Sequence, residues 1–244
     1  MIGSIVGHGT FVGIASSEDF IAVGVDTKTT YDTSILGIYP EHGCKIKILD
    51  GNLIFTDIGC GFISRSPETD QGNWIVVYDS KMVAINSNFV GNIAGIANEW
   101  GMRTADAFDL YANDRAIQII GVFAGEEPDG TLGTYAVKVC RNSFSYCYKV
   151  SKLPTEIGLW NFNHQNFLDE IFQGRTVRAQ AIKERIRSAN CSGEMEGGAI
   201  RVREIVRAII EWDGKDVAGD PSVIIIERGK RPRWFARPEV CKNQ

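Results

Sequence analysis

The chain has 244 residues, with 26 Lys and Arg against 30 Asp and Glu for a formal net charge of −4, and 44% of its positions are hydrophobic. That balance excludes a collagen-like or disordered polymer and leaves no basic footprint for nucleic acid. The length fits one large domain or two small ones, and a single domain of this size buries roughly 70–75% of the surface its unfolded chain exposes.

Residues 1–9 carry no Lys or Arg and are too short for a signal peptide. No apolar run approaches the ~20 residues a membrane helix needs, so the expectation is a soluble, cytoplasmic chain with no membrane partner. Residues 10–15 and 20–25 are rich in Val, Ile, Phe and Gly and flank the polar turn Ser16-Ser17-Glu18-Asp19, which predicts a hairpin. Residues 44–49 and 53–58 form a second pair around Asp50-Gly51-Asn52, where Asp-Gly is a strong tight-turn signal. Ile85, Phe89, Ile93, Ile96 and Trp100 recur at helical spacing on one stripe, and an exposed stripe of that kind would suit contacts between copies. Thr104 then reads as the N-cap of a short helix through residue 111.

Strand-like runs follow at 117–123, 135–139 and 144–150, with Pro128-Asp129-Gly130 as a turn. A helix is expected over 166–189 on Phe167, Ile171, Val177, Ile182 and Ile186, weakened at its centre by Gly174. Residues 193–198 are glycine-rich, lack the Lys-Ser/Thr of a phosphate loop and read as a linker. Val202, Ile205, Ile209 and Trp212 make another helical stripe, residues 223–226 read as a fully buried strand, and Arg228, Lys230, Arg231 and Arg233 as a solvated strand end. The order of strands, helices, strands, helices, strand favours an α+β fold in which two antiparallel sheets pack together under outer helices, rather than regular βαβ alternation. No linker or repeat marks a boundary, so one domain is the simpler account.

Cys44, Cys60, Cys140, Cys147, Cys191 and Cys241 include no CxxC pair and read as buried reduced thiols. His8, His42 and His164 are scattered, which gives neither a metal centre nor a base for Cys60. No cofactor is expected.

The sharpest feature is Gly9-Thr10 at the head of the first predicted strand, Asp26 at the end of the second and Lys45 at the start of the third. If the two hairpins share a sheet, these side chains converge at one sheet end. A threonine hydroxyl is a weak nucleophile until a base removes its proton, and that base can be the residue's own α-amino group, which in a free peptide titrates at ~7.7–8.0. Thr10 must then be a chain terminus. An ammonium at Lys45 would favour the neutral amine, Asp26 would compensate the lysine, and Gly9 leaves room for the turn that self-cleavage of the Gly9–Thr10 bond requires.

With these residues in view, the sequence resembles the proteasome β-subunit family, threonine peptidases of the N-terminal nucleophile (Ntn) hydrolase superfamily. The resemblance rests on Gly9-Thr10-Phe11-Val12-Gly13-Ile14, Val23-Gly24-Val25-Asp26-Thr27-Lys28-Thr29, Cys44-Lys45-Ile46 and Asp57-Ile58-Gly59. The sixteen positions from Thr10 to Asp26 and the fourteen from Lys45 to Gly59 match the family spacing, and the Asp26 to Lys45 interval is about three residues longer. The resemblance implies a four-layer α/β/β/α sandwich over residues 10–244, a propeptide over 1–9, and assembly of copies into an oligomer such as a ring.

It also implies that Thr10 is the nucleophile, that Asp26 and Lys45 assist it, and that Gly59 supplies an oxyanion N–H. Asp216, in Lys215-Asp216-Val217-Ala218-Gly219, falls at the family's late aspartate. Thr29 and Asp57 fall at substrate-binding positions, where the carboxylate of Asp57 would favour a basic side chain by charge pairing or else pair with Lys47 or Arg65. The match thins after residue 61. Gly219 stands where the family has a serine, the other expected serine has no counterpart near residues 152–160, and residues 64–80 look inserted. Two functions follow: a threonine-dependent amide hydrolase acting on a peptide or another amide, or a non-catalytic subunit of the same architecture that serves assembly and binding.

Overall fold

The computed structural model describes residues 11–28, 43–49, 52–59, 92–111, 117–141, 146–154, 159–161, 169, 173–188, 194–213 and 217–242. The first predicted hairpin forms as β1 (Val12–Ser16) and β2 (Phe20–Val25), closed by Ser17 N–H donating to the Phe20 carbonyl at 2.9 Å. β2 pairs on its other side with β9 (Ser222–Glu227), which pairs with β10 (Arg233–Ala236), and β1 pairs with β8 (Leu159–Asn161). This antiparallel sheet runs β10-β9-β2-β1-β8. The second sheet runs β3 (Lys47–Ile48), β4 (Ile54–Gly59), β5 (Ile117–Glu126), β6 (Leu132–Arg141), β7 (Tyr146–Lys152), again antiparallel throughout. Among the described residues, three long helices accompany the sheets: α1 (Ile93–Tyr111), α2 (Val177–Ser188) and α3 (Glu194–Asp213).

The period of two along each strand sorts its side chains into separate cores. Val12, Ile14, Ile21, Val23, Ile224 and Ile226 of the first sheet share a cluster with Ile54, Ile58, Ile120, Val122 and Ala124 of the second. The alternate residues face away. In the first sheet, Ala15, Phe20, Ala22, Val223 and Ile225 pack against Ala199 and Val202 of α3. In the second, Phe55, Ile119, Phe123, Tyr135, Val137 and Val139 pack against Ile93, Ile96 and Trp100 of α1. Each large apolar side chain so buried contributes about 1.5–3 kcal/mol. The stripe at Ile93, Ile96 and Trp100 is therefore used within the chain, and is not an exposed face for contacts between copies; Ile85 and Phe89 lie outside the described residues.

Several expectations change. The two hairpins do not share a sheet: β1 and β2 belong to one, β3 and β4 to the other. Thr104 caps nothing. It lies inside α1, buried, with its hydroxyl donating to the Trp100 carbonyl one turn earlier at 2.7 Å, a bond that competes with capping for any threonine in a helical segment. Within the stretch expected as one helix from residue 166, residues 169 and 173 are helical, and the backbone turns at Gly174 with φ of +62°. α2 starts afresh at Val177, capped by Thr176, whose hydroxyl accepts the Ala179 N–H at 3.0 Å, so the interruption falls at the expected glycine.

The glycine-rich stretch is not a linker but the first turns of α3. A Cβ on Gly198 would lie 2.7 Å from the Phe20 ring, so glycine is what lets α3 approach β2. The cysteines are not all reduced thiols either. Cys140 and Cys147 face each other across β6 and β7 with Cα atoms 5.0 Å apart, Cys44 and Cys241 lie at 4.9 Å, and both pairs form disulfides. Disulfides persist mainly in oxidising compartments, so the cysteines no longer speak for a cytoplasmic location. Arg228, Lys230 and Arg233 are exposed, with Lys230 and Arg233 both paired to Glu227, as a solvated strand end requires. No helix among the described residues is long and apolar enough to cross a membrane.

Candidate functional site

The site forms where β2 ends. Phe11 is fully buried against Ile182 and Ile186 of α2 and Ile205 and Ile209 of α3, which fixes the peptide that follows position 10. Its N–H donates to Asp26 Oδ1 at 3.0 Å. The second carboxylate oxygen accepts Lys28 N–H at 3.2 Å and Lys45 Nζ at 2.8 Å. Asp26 has no exposed surface and the Lys45 side chain is 11% exposed, so this ion pair lies almost wholly out of water. Burial raises the Asp26 carboxyl above its ordinary range and lowers the Lys45 ammonium below its own, while their mutual attraction opposes both shifts.

Asp26 hangs from the first sheet and Lys45 precedes β3 of the second, so the pair spans the two sheets at their common end. Thr27 secures this junction. Its carbonyl accepts Gly43 N–H at 2.8 Å, its N–H donates to Ala218 O at 3.3 Å, and its hydroxyl accepts Asp220 N–H at 3.2 Å. The late loop from residue 217 thereby docks beside Asp26.

Gly59 ends β4 opposite Ile119 with φ of +103°, and a Cβ there would lie 2.4 Å from the Gln118 carbonyl oxygen, so both backbone and space demand glycine. Asp57 lies two residues earlier on the face that carries Phe55. Lys47 stands opposite Phe55 on the neighbouring strand. Burial raises the Asp57 carboxyl to about 6, against the opposing pull of Lys45 and then Lys47, and burial lowers the Lys47 ammonium.

A pH dependence follows from the raised carboxyl. Because the folded state holds the Asp57 proton up to about pH 6 and the unfolded chain only to about pH 3.9, the group's contribution is fully favourable below pH 3.9 and is lost as the pH rises through 6. The loss across that interval amounts to roughly 3 kcal/mol. Asp57→Asn should therefore unfold at higher denaturant than the native protein at pH 7 and match it near pH 4. Parallel stability curves for the two proteins across that range would show that Asp57 is not held protonated.

Of the residues singled out in the sequence, Asp26 and Lys45 meet directly, while Asp57 and Gly59 stand on the adjoining strand. Gly9, Thr10, Thr29, Asp216, Cys60 and Arg65 lie outside the described residues. Sequence reasoning missed Thr27 as a junction, although it belongs to the same Val-Asp-Thr run, and it missed the Cys44–Cys241 link, which no local spacing could disclose.

No family model and no curated protein matches this chain. Among solved structures it is similar to a Gly-1 mutant of Anbu from Hyphomicrobium sp. strain MC1, at 12% identity and a TM-score of 0.53, covering 96% of this chain and 92% of that one. At that identity the likeness concerns the fold alone.

Proposed function

We propose that this chain is a threonine-nucleophile amide hydrolase of the proteasome β-subunit-like kind, built as a four-layer α/β/β/α Ntn-hydrolase sandwich. The observation that carries the reading is the buried Lys45–Asp26 pair, with the N–H of Phe11, the residue after Thr10, bonded to the same carboxylate. In this reading the Gly9–Thr10 bond is cleaved, and the freed α-amino group of Thr10 accepts the hydroxyl proton as Oγ attacks an amide carbonyl. The C–N bond breaks, the leaving amine takes that proton, and the Thr10 α-amino group, neutral again, acts as base for the water that hydrolyses the ester and returns the proton to Oγ. Lys45 keeps the α-amino group neutral, Asp26 orients Lys45, and the Gly59 N–H stabilises the developing oxyanion. The family resemblance alone assigns Asp216 a supporting role and Thr29 and Asp57 roles in substrate binding. Lys47 beside Asp57 tempers its selectivity for a basic side chain. Oligomerisation, including a ring, enters from the family resemblance alone.

The competing reading is a non-catalytic subunit, favoured by Gly219 where the resemblance calls for a serine. Mass spectrometry of the purified protein separates them. The hydrolase should show a mature terminus at Thr10, turnover of a peptide amide, and covalent capture by a threonine-directed electrophile, all lost in Thr10→Ala. A persistent full-length chain that the electrophile never labels would leave the assembly role.

A further inference from the structure

Lys45 does not lie in a strand: β3 begins two residues later. The residue before it, Cys44, is joined covalently to Cys241 in the turn Glu239–Cys241, 197 residues away in sequence. Cys241 is itself firmly seated. It has no exposed surface, its N–H donates to the Pro238 carbonyl at 2.9 Å, its carbonyl accepts Arg237 Nε at 3.1 Å, and its sulfur lies 3.7 Å from Ser222 Oγ. Ser222 opens β9 opposite Val25, the residue before Asp26. The disulfide therefore ties the backbone that carries the ammonium to a turn seated against the first residue of β9, the strand paired with β2, which leads into the carboxylate. Cys140–Cys147, by contrast, links neighbouring strands β6 and β7 of one sheet.

We infer that the Cys44–Cys241 disulfide is a positioning clamp that holds Lys45 against Asp26, and that thiol–disulfide exchange at this bond releases the lysine. Release is a balanced two-electron step. A dithiol thiolate attacks Cys44 Sγ, the half-buried end of the bond. The Cys44–Cys241 bond breaks, and the mixed disulfide then resolves as the dithiol closes on itself. Cys44 and Cys241 take up the two protons as thiols, and the dithiol is oxidised to its cyclic disulfide. The effect on hydrolysis rests on the function proposed above, whereas the clamp itself does not.

The test reads Lys45 directly. In a Cys140→Ser/Cys147→Ser background, native protein with and without dithiothreitol is exposed briefly to a small amine-selective acylating reagent. Modification of Lys45 is then measured by peptide mass spectrometry relative to exposed Lys138 and Lys149. Breaking the clamp should raise the relative labelling of Lys45 by about tenfold or more, the scale of a single lost restraint. Cys44→Ser/Cys241→Ser should show the raised rate without reductant, and Cys140→Ser/Cys147→Ser alone should label as the native protein does. Circular dichroism confirms that each sample is folded; should the Cys44→Ser/Cys241→Ser protein not fold, the dithiothreitol arm decides. Equal labelling with the bond intact and broken would overturn the clamp, as would free thiols at Cys44 and Cys241 in unreduced protein. A bond that resists dithiothreitol in the folded state would overturn its release. None of these readouts requires turnover, so an inactive protein with a working clamp would sink only the hydrolase reading.

Discussion

Replacing Asp26 by alanine is expected to cost about 3–5 kcal/mol of stability, the range measured when one partner of a buried ion pair is removed. The size follows from what the carboxylate satisfies: Lys45 Nζ at 2.8 Å and the N–H groups of Phe11 and Lys28. Once it is gone, the lysine must either carry an unpaired charge out of water or surrender its proton, and the Phe11 N–H loses its acceptor. In a chain of this length the midpoint of thermal unfolding should fall by roughly 6–20 °C. Asp26→Asn, which keeps one acceptor oxygen, should fall less. A double-mutant cycle sharpens the test, because Asp26→Leu with Lys45→Met removes both charges together and should lose less than the two single changes summed. A single-mutant cost below about 1 kcal/mol would mean that water reaches the pair.

Gly59→Ala is the second large effect. Holding alanine at φ of +103° costs about 1–3 kcal/mol in the backbone. Accommodating a Cβ 2.4 Å from the Gln118 carbonyl adds roughly 1–3 more, because a β5 backbone atom cannot swing aside as a side chain would. The variant should unfold about 2–6 kcal/mol more easily in urea. If the Gly59 N–H serves the oxyanion, the folded fraction should also turn over a peptide amide about 100- to 1,000-fold more slowly. Unchanged turnover in a folded variant would remove Gly59 from the proposed chemistry while leaving its structural demand intact.

What could be read from the sequence was what local periodicity encodes. The Asp-Gly turn between residues 44–49 and 53–58 predicts the β3–β4 hairpin, and Leu49 N–H does donate to the Leu53 carbonyl at 2.8 Å. The helical spacing of Ile93, Ile96 and Trp100 likewise marked the face that α1 buries. Sheet membership was not legible, since period two says which face a side chain takes but not which strand lies beside it. β8 and β10, with three and four residues, are too short to show a period at all. Gly197 and Gly198 argued for a break because propensity counts the backbone alone, whereas the close approach of Phe20 decides the matter in the fold. At the site, the spacing of Asp26 and Lys45 marks both residues, which meet at 2.8 Å, but between two sheets rather than at the end of one. The partnership of Cys44 with Cys241 is a long-range fact with no local trace.

That Asp26 and Lys45 descend from different sheets makes their contact a gauge of how the molecule is put together. Either sheet could form its own ladder and still leave this carboxylate and this ammonium in water; only docking of one upon the other draws them together. Chemistry that relied on the pair would therefore stay silent in every half-assembled intermediate.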